Sequence, residues 1–201
     1  MTLDQLRPVA NRALNPFVSV ADTAGLTPNG VSVIAFGFAA AAGVAFYLAT
    51  PLWYALGAAF VFANGWLDLL DGALAREQGV ASKGGDLLDH VLDRYADIVV
   101  IAGLAAGVGR YALGLAAVTG VLMTSYLGTQ IQAVGLGREY GGLLGRADRL
   151  ALVGVAGVLA AVVPDPLVFG LTAVGLLLAL FTVVGHLTAL QRFWGAWSDL
   201  R

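Results

Sequence analysis

The chain has 201 residues, of which 59% are hydrophobic, only 12% are charged and 27 are glycine, with a formal net charge of −2 and a mean hydropathy of +0.82. An ordinary soluble domain carries roughly 25% charged residues, so this composition excludes a soluble enzyme, and the near-neutral charge gives no reason to invoke nucleic acid. Without cysteine there is no disulfide framework, thiolate nucleophile or cysteine-based zinc site. Residues 23–67, 111–137, 150–164 and 166–191 carry no Asp, Glu, Lys or Arg, and a membrane-spanning helix needs about 20 mostly apolar residues. The chain therefore reads as an all-α integral membrane protein, with residues 1–201 expected to form one domain.

Residues 1–24 place Leu3, Leu6, Ala10, Ala13, Leu14 and Phe17 at helical spacing, with Asp4, Gln5, Arg7 and Arg12 on other faces. That is the pattern of an amphipathic helix lying in the membrane interface. Asp4, Arg7, Arg12 and Asp22 interrupt any apolar stretch of the kind a cleavable signal peptide needs. Thr27-Pro28-Asn29 breaks the chain, and six transmembrane helices are predicted after it, over about 31–49, 51–76, 85–107, 111–133, 147–163 and 166–190. Pro51 opens the second, and Pro164 and Pro166 punctuate the last turn. With the N-terminus in the cytoplasm, Arg7, Arg12, Arg76, Lys83, Arg94, Arg138, Arg146, Arg149, Arg192 and Arg201 fall on or near that side and only Arg110 falls opposite. This agrees with the positive-inside rule, so both termini are expected to be cytoplasmic in a multi-pass protein of the cell membrane.

Seven of the 13 acids, Asp68, Asp71, Glu77, Asp86, Asp89, Asp93 and Asp97, lie within thirty residues around the joint between the second and third spans. Asp68 and Asp71 are three apart near the end of one helix, and Asp89 and Asp93 are four apart near the start of the next, so each pair occupies one face. A short connection makes the two helices antiparallel neighbours, and four carboxylates then converge at one depth. At an effective dielectric near 20, each like pair 4 Å apart costs about 4 kcal/mol, so the four are partly protonated or bind cations. An all-oxygen donor set suits hard Mg²⁺ or Mn²⁺, and four carboxylates suit two such ions. Arg76 adds a fixed positive charge, Gly72 and Ala75 remove bulk beside it, and Ser82 with the first N–H groups of the third span could hold a diphosphate. Spacing alone also allows a solvated loop with helix-end charges, or the ion path of a transporter. Asp86 and Asp97 are expected to pair structurally with His90 or Arg94, and Glu77 to be a solvated loop charge.

Residues 68–93 read D-L-L-D-G-A-L-A-R-E-Q-G-V-A-S-K-G-G-D-L-L-D-H-V-L-D. The stretch resembles the signature of the CDP-alcohol phosphotransferase family, D-x2-D-G-x2-A-R-x8-G-x3-D-x3-D, at Asp68, Asp71, Gly72, Ala75, Arg76, Gly85, Asp89 and Asp93. The resemblance implies six transmembrane helices after an interfacial helix, often with a Thr-Pro-Asn opening the first span, and a homodimer embedded in membrane lipid. It implies transfer of the phosphatidyl or archaetidyl group of a CDP-linked lipid to an alcohol, with release of CMP. Carried over by residue, Asp68, Asp71, Asp89 and Asp93 would hold the metal pair, and Asp93 would take the proton from the acceptor hydroxyl. Gly72, Ala75 and Gly85 belong to the CDP-lipid side, where Arg76 and Ser82 would bind the diphosphate and Asn29 with Ser32 would close the nucleotide side.

Arg146 and Arg149 are three apart at the start of the fifth span, and Arg138 lies in the loop before it. Two arginines on one face make a phosphate clamp, or serve as positive-inside anchors. The segment G-R-A-D-R, residues 145–149, resembles the arginine-bearing stretch of family members that use inositol phosphate. Those members often carry a basic residue soon after the Ser-Tyr of the fourth span, whereas Ser125-Tyr126 is followed by Leu127-Gly128-Thr129-Gln130. Inositol phosphate and glycerol phosphate both remain open as acceptors, and a phosphorylated polyol is favoured over serine, ethanolamine or choline. A prenyltransferase with intramembrane aspartates has more spans and no use for the Gly72, Ala75, Arg76 and Gly85 spacing. A cation transporter more often shows broken helices and paired repeats.

Overall fold

The computed structural model describes residues 7–137 and 144–201, with side chains from residue 13 onward in those ranges. Seven helices form among them: α1 (Arg7–Thr23), α2 (Pro28–Leu48), α3 (Pro51–Glu77), α4 (Lys83–Gly107), α5 (Tyr111–Ala133), α6 (Arg146–Val162) and α7 (Ala173–Asp199). Local chemistry sets their starts. Thr27 accepts from the Gly30 N–H at 3.2 Å with Pro28 in the first turn of α2, and Ser82 accepts from the Gly85 N–H at 3.1 Å at the head of α4. At the head of α6, Asp148 instead accepts from the Gly145 N–H at 2.9 Å.

Helices α2, α3, α5 and α7 are long and apolar enough to cross a membrane. Helix α4 carries Lys83, Asp86, Asp89, Asp93, Arg94 and Asp97 in its first fifteen residues, and α6 has 17 residues, about 25 Å at 1.5 Å per residue. At most 44% of each apolar stretch in the four long helices is buried, and Phe62, Val155, Val162 and Val183 face outward. That apolar exterior belongs to an integral membrane protein.

The last predicted span differs from what forms. The hydropathy pattern extends it over 166–190, whereas α7 runs from Ala173 to Asp199. Proline is tolerated in a first helical turn, so it is the turn after Pro166 that delays the start: Leu167 N–H donates to the Leu171 carbonyl at 2.8 Å while Leu171 N–H donates to Val168 at 2.9 Å. Phe169 (φ 53°) and Gly170 (φ 71°) close that turn in left-handed geometry, and Thr172 then caps α7. At the other end nothing breaks the helix before Asp199, and it carries Phe193, Trp194 and Trp197 past residue 190.

Helix α1 buries Leu14, Val18 and Ala21 against Val31, Leu70 and Leu74. Ala13 and Phe17 of the expected apolar face stay exposed, although Phe17 meets Trp66 edge-on at 5.2 Å. Gln78 ties the end of α3 to this unit by donating to Asp22 and to the Leu26 carbonyl. The main core is built from Phe46, Leu104, Val121, Leu177, Leu178 and Phe181. Glycines set its closest crossings: a Cβ on Gly103 of α4 would strike the Gly43 carbonyl of α2, and one on Gly185 of α7 would lie 2.8 Å from Gly120 of α5. Gly103→Leu is expected to cost about 1–3 kcal/mol or more through overpacking. Thermal unfolding in detergent should show a lowered midpoint, while Gly37→Leu, at a position with nothing within 4 Å, leaves it in place.

Candidate active site

The end of α3 and the start of α4 run antiparallel. Asp68 stands nine residues before the end of α3, and Asp89 and Asp93 six and ten residues into α4. At 1.5 Å per residue these offsets put all three carboxylates at about the same depth, roughly 9–15 Å from the helix ends. Their nearest oxygens lie within 4.8 Å of one another. Asp71 does not join them. It is buried and turned to α2, where it accepts from the Ser32 hydroxyl at 2.5 Å.

The counter-charge comes from α6. Arg146 donates through Nη1 to Asp68 Oδ2 at 2.5 Å and through Nη2 to Asp93 Oδ1 at 2.6 Å. One turn on, Arg149 pairs with Asp97 at 3.1 Å in a buried contact. Arg94 lies 3.5 Å from Asp97 and 3.6 Å from Asp93, and donates to Ser125. The pairing expected of Asp97 is thus present, with Arg149 as an additional and closer partner. Asp86 pairs with His90 at 3.5 Å, as expected. The Nε groups of Arg146 and Arg149 are both buried without a hydrogen-bond partner. A buried unpaired N–H costs about 1–3 kcal/mol, a cost that a ligand accepting from both would remove.

These groups line one cavity of about 1860 Å³ together with Arg192, Ser125 and Tyr126. Its polar end holds Asp68, Asp89, Asp93, Arg94, Arg146 and Arg149, and it continues between α3 and α6 past Phe62, Ala59, Val155 and Val162. A site with charges at one end and an open apolar groove at the other suits a substrate with a polar head and a hydrocarbon tail. Arg192, whose Nη1 donates to the Thr124 carbonyl at 2.5 Å, entered the sequence reading only as an orientation charge. Its signal was its place as the first charge after the run 166–191.

The residues expected on the nucleotide side lie outside the lining of that cavity. Asn29 and Ser82 flank Gly85, where an added Cβ would lie 3.3 Å from the Asn29 amide oxygen and 3.4 Å from the Ser82 hydroxyl. The exposed Arg76 folds back over Gly72, its Nη1 3.5 Å from where a Cβ would stand. Ala75 sits one residue before it, and Ser32 reaches this face through Asp71. Arg138 lies outside the described residues.

The chemistry of the carboxylates accords with a divalent metal. Three oxygen donors within 4.8 Å form a hard, anionic set with no sulfur ligand, and a hard ion at about 2.1 Å from each oxygen draws them only slightly closer. The fold and this site define a class: a membrane-embedded protein with an oxygen-donor site suited to a divalent metal and a cavity suited to a substrate with a charged head and an apolar tail. Within that class the chain belongs to the CDP-alcohol phosphatidyltransferase family, whose family model matches residues 25–197. It is 33% identical over 200 residues to the archaetidylinositol phosphate synthase of Methanothermobacter thermautotrophicus, covering 99% of this chain and 96% of the relative. The phosphatidylinositol phosphate synthase of Mycolicibacterium smegmatis is 34% identical over 193 residues, 92% of this chain and 81% of the relative. The crystal structure of the Mycobacterium tuberculosis phosphatidylinositol phosphate synthase with CDP-DAG bound superposes with a TM-score of 0.78 at 26% identity, covering 92% of this chain and 94% of that one. The same enzyme in complex with manganese and citrate gives 0.77 at 26% identity, covering 90% and 88%. The protein is a transferase of phospholipid synthesis.

Proposed function

We propose that the protein transfers the lipid phosphate of a CDP-activated lipid to a hydroxyl of inositol phosphate, releasing CMP. The observation that carries this reading is the placement of Arg146 and Arg149, each with a buried Nε that has no hydrogen-bond partner, in the lining of the cavity that holds Asp68, Asp89 and Asp93. Two guanidinium groups with spare donors match a phosphate, and an acceptor without one leaves both unsatisfied. The names of the inositol-phosphate-using relatives point the same way. Glycerol phosphate is the second reading.

In the reaction the acceptor oxygen bonds to the lipid-side phosphorus while the bond from that phosphorus to the CMP oxygen breaks. The hydroxyl proton passes to Asp93, which lines the cavity beside Arg146. Arg146, Arg149 and Arg192 hold the acceptor, with Arg138, eight residues before Arg146, assigned the same role by its place in the sequence. On the other face Asn29, Ser32, Gly72, Ala75, Arg76, Ser82 and Gly85 seat the CDP group. Asp68, Asp89 and Asp93 would hold Mg²⁺ or Mn²⁺, with Asp71 completing a set for two ions on turning from Ser32, and the ions would supply positive charge against the diphosphate. The hydrocarbon tail lies between α3 and α6, where the cavity is lined by apolar side chains.

The same reading has α2 to α7 all cross the membrane, with the acidic end open to the cytoplasm, both termini on that side, and the protein a homodimer. Asp89, Asp93 and Arg94 of α4 line the site, and residues 98–107 at its far end are apolar. The test supplies purified protein with CDP-diacylglycerol or its isoprenoid-ether counterpart and a panel of acceptors, and identifies the lipid product by mass. Inositol phosphate is expected to give a lipid-inositol-phosphate product and stoichiometric CMP. Product from serine or free inositol at an equal rate would overturn the assignment.

A further inference from the structure

Arg146 occupies a position that its role as an acceptor clamp does not explain. Its two terminal nitrogens lie 2.5 and 2.6 Å from Asp68 and Asp93, two of the three carboxylates whose oxygens converge within 4.8 Å. These are the short distances of charge-assisted hydrogen bonds, and a guanidinium cannot shed its charge to escape a competing cation. A divalent ion held by Asp68 and Asp93 draws on the same two carboxylates. A divalent charge there also repels the fixed positive charge of the guanidinium. Carboxylate-bound Arg146 and a loaded metal site therefore oppose each other. Arg149 and Arg192 are held elsewhere, by Asp97 and by the Thr124 carbonyl.

We propose that Arg146 is a displaceable internal counter-ion of the acidic cluster, and that the phosphate of the acceptor is what draws it off. This makes Arg146 the residue through which phosphorylated acceptors are selected. The inference rests on the reading that the acceptor phosphate binds in this cavity. A phosphate dianion offers the guanidinium the two oxygens it gives up and can also take the Nε donor, which has no partner. An acceptor lacking phosphate offers neither, so with it Arg146 stays on Asp68 and Asp93. Because both ligands act on one side chain, their coupling is reciprocal: acceptor phosphate tightens metal binding by the factor by which metal tightens acceptor binding.

The experiment measures Mn²⁺ bound to the purified protein in micelles by the EPR signal of free Mn²⁺, with no CDP-lipid present. In the wild type, inositol phosphate is expected to tighten Mn²⁺ binding by about tenfold, within the usual range of coupling between two sites, and free inositol to leave it unchanged. Arg146→Gln is expected to bind Mn²⁺ about tenfold more tightly than wild type without any acceptor, and to lose the response to inositol phosphate. Mn²⁺ affinity in Arg146→Gln equal to or weaker than wild type would overturn the proposal. So would a wild type indifferent to inositol phosphate, a measurement that depends on no variant. Failure here with a raised acceptor KM in Arg146→Gln removes the counter-ion role and leaves the acceptor site standing. Tighter Mn²⁺ binding with an unchanged acceptor KM removes the acceptor site, and the proposal with it.

Discussion

Asp93→Asn is expected to lower kcat for CMP release by about 10²–10⁴-fold, the usual contribution of a positioned general base. Asparagine keeps the volume of the side chain and can still accept from Arg146, which now lies 2.6 Å from Asp93 Oδ1. It cannot take a proton from the acceptor hydroxyl. Asp93 also belongs to the carboxylate trio, so loss of metal affinity alone must be separated from loss of the base. Asp68→Asn provides the comparison, because it removes a carboxylate of the same trio that is not assigned the proton. With Mn²⁺ raised until each variant saturates, Asp68→Asn should recover much of its rate and Asp93→Asn should not. Equal CMP release by Asp93→Asn and wild type would remove Asp93 from its role. Equal recovery of the two variants would leave it as a metal ligand only.

Much of this site was readable from spacing alone. Intervals of three and four residues at the facing ends of two helices bring Asp68, Asp89 and Asp93 together without knowledge of any other element. Asp71 shows where such reasoning stops. Its interval from Asp68 puts both on one side of α3, yet α3 is packed between α2 and α6, and the two carboxylates diverge, one to Ser32 and the other to Arg146. Periodicity records the face and not the neighbour. The same holds for α1, whose buried stripe is Leu14, Val18 and Ala21 because α3 approaches from that angle. The pairing of Arg149 with Asp97 joins residues 52 apart in the chain, and no local pattern specifies it. The membrane class was legible because charges are so scarce, whereas the late start of α7 depended on a tight turn whose geometry hydropathy does not encode.

Removing Arg149 should damage stability and acceptor binding together, and a second substitution should separate the two. Arg149 and Asp97 are both buried, and they meet at 3.1 Å. Among the described residues Arg149→Ala leaves Asp97 with Arg94 as its charged partner, at 3.5 Å, so the cost is expected to approach but stay below the about 3–5 kcal/mol of a buried carboxylate left uncompensated. The unfolding midpoint in detergent is expected to fall accordingly. The acceptor loses a charged donor at the same time, worth about 1.5–3 kcal/mol, so its KM should rise by about ten- to a hundredfold. Replacing both partners by apolar residues, Asp97→Leu with Arg149→Leu, removes the stranded charge, and such exchanges are often neutral or stabilising. The double variant is therefore expected to regain most of the lost stability while its acceptor KM stays high and its KM for the CDP-lipid stays near wild type. If acceptor KM recovers along with stability, Arg149 supports the fold and does not touch the acceptor. If stability returns and acceptor KM does not, the unpartnered Nε of Arg149 is a donor held ready for the acceptor phosphate, with Asp97 as the residue that makes burying it affordable.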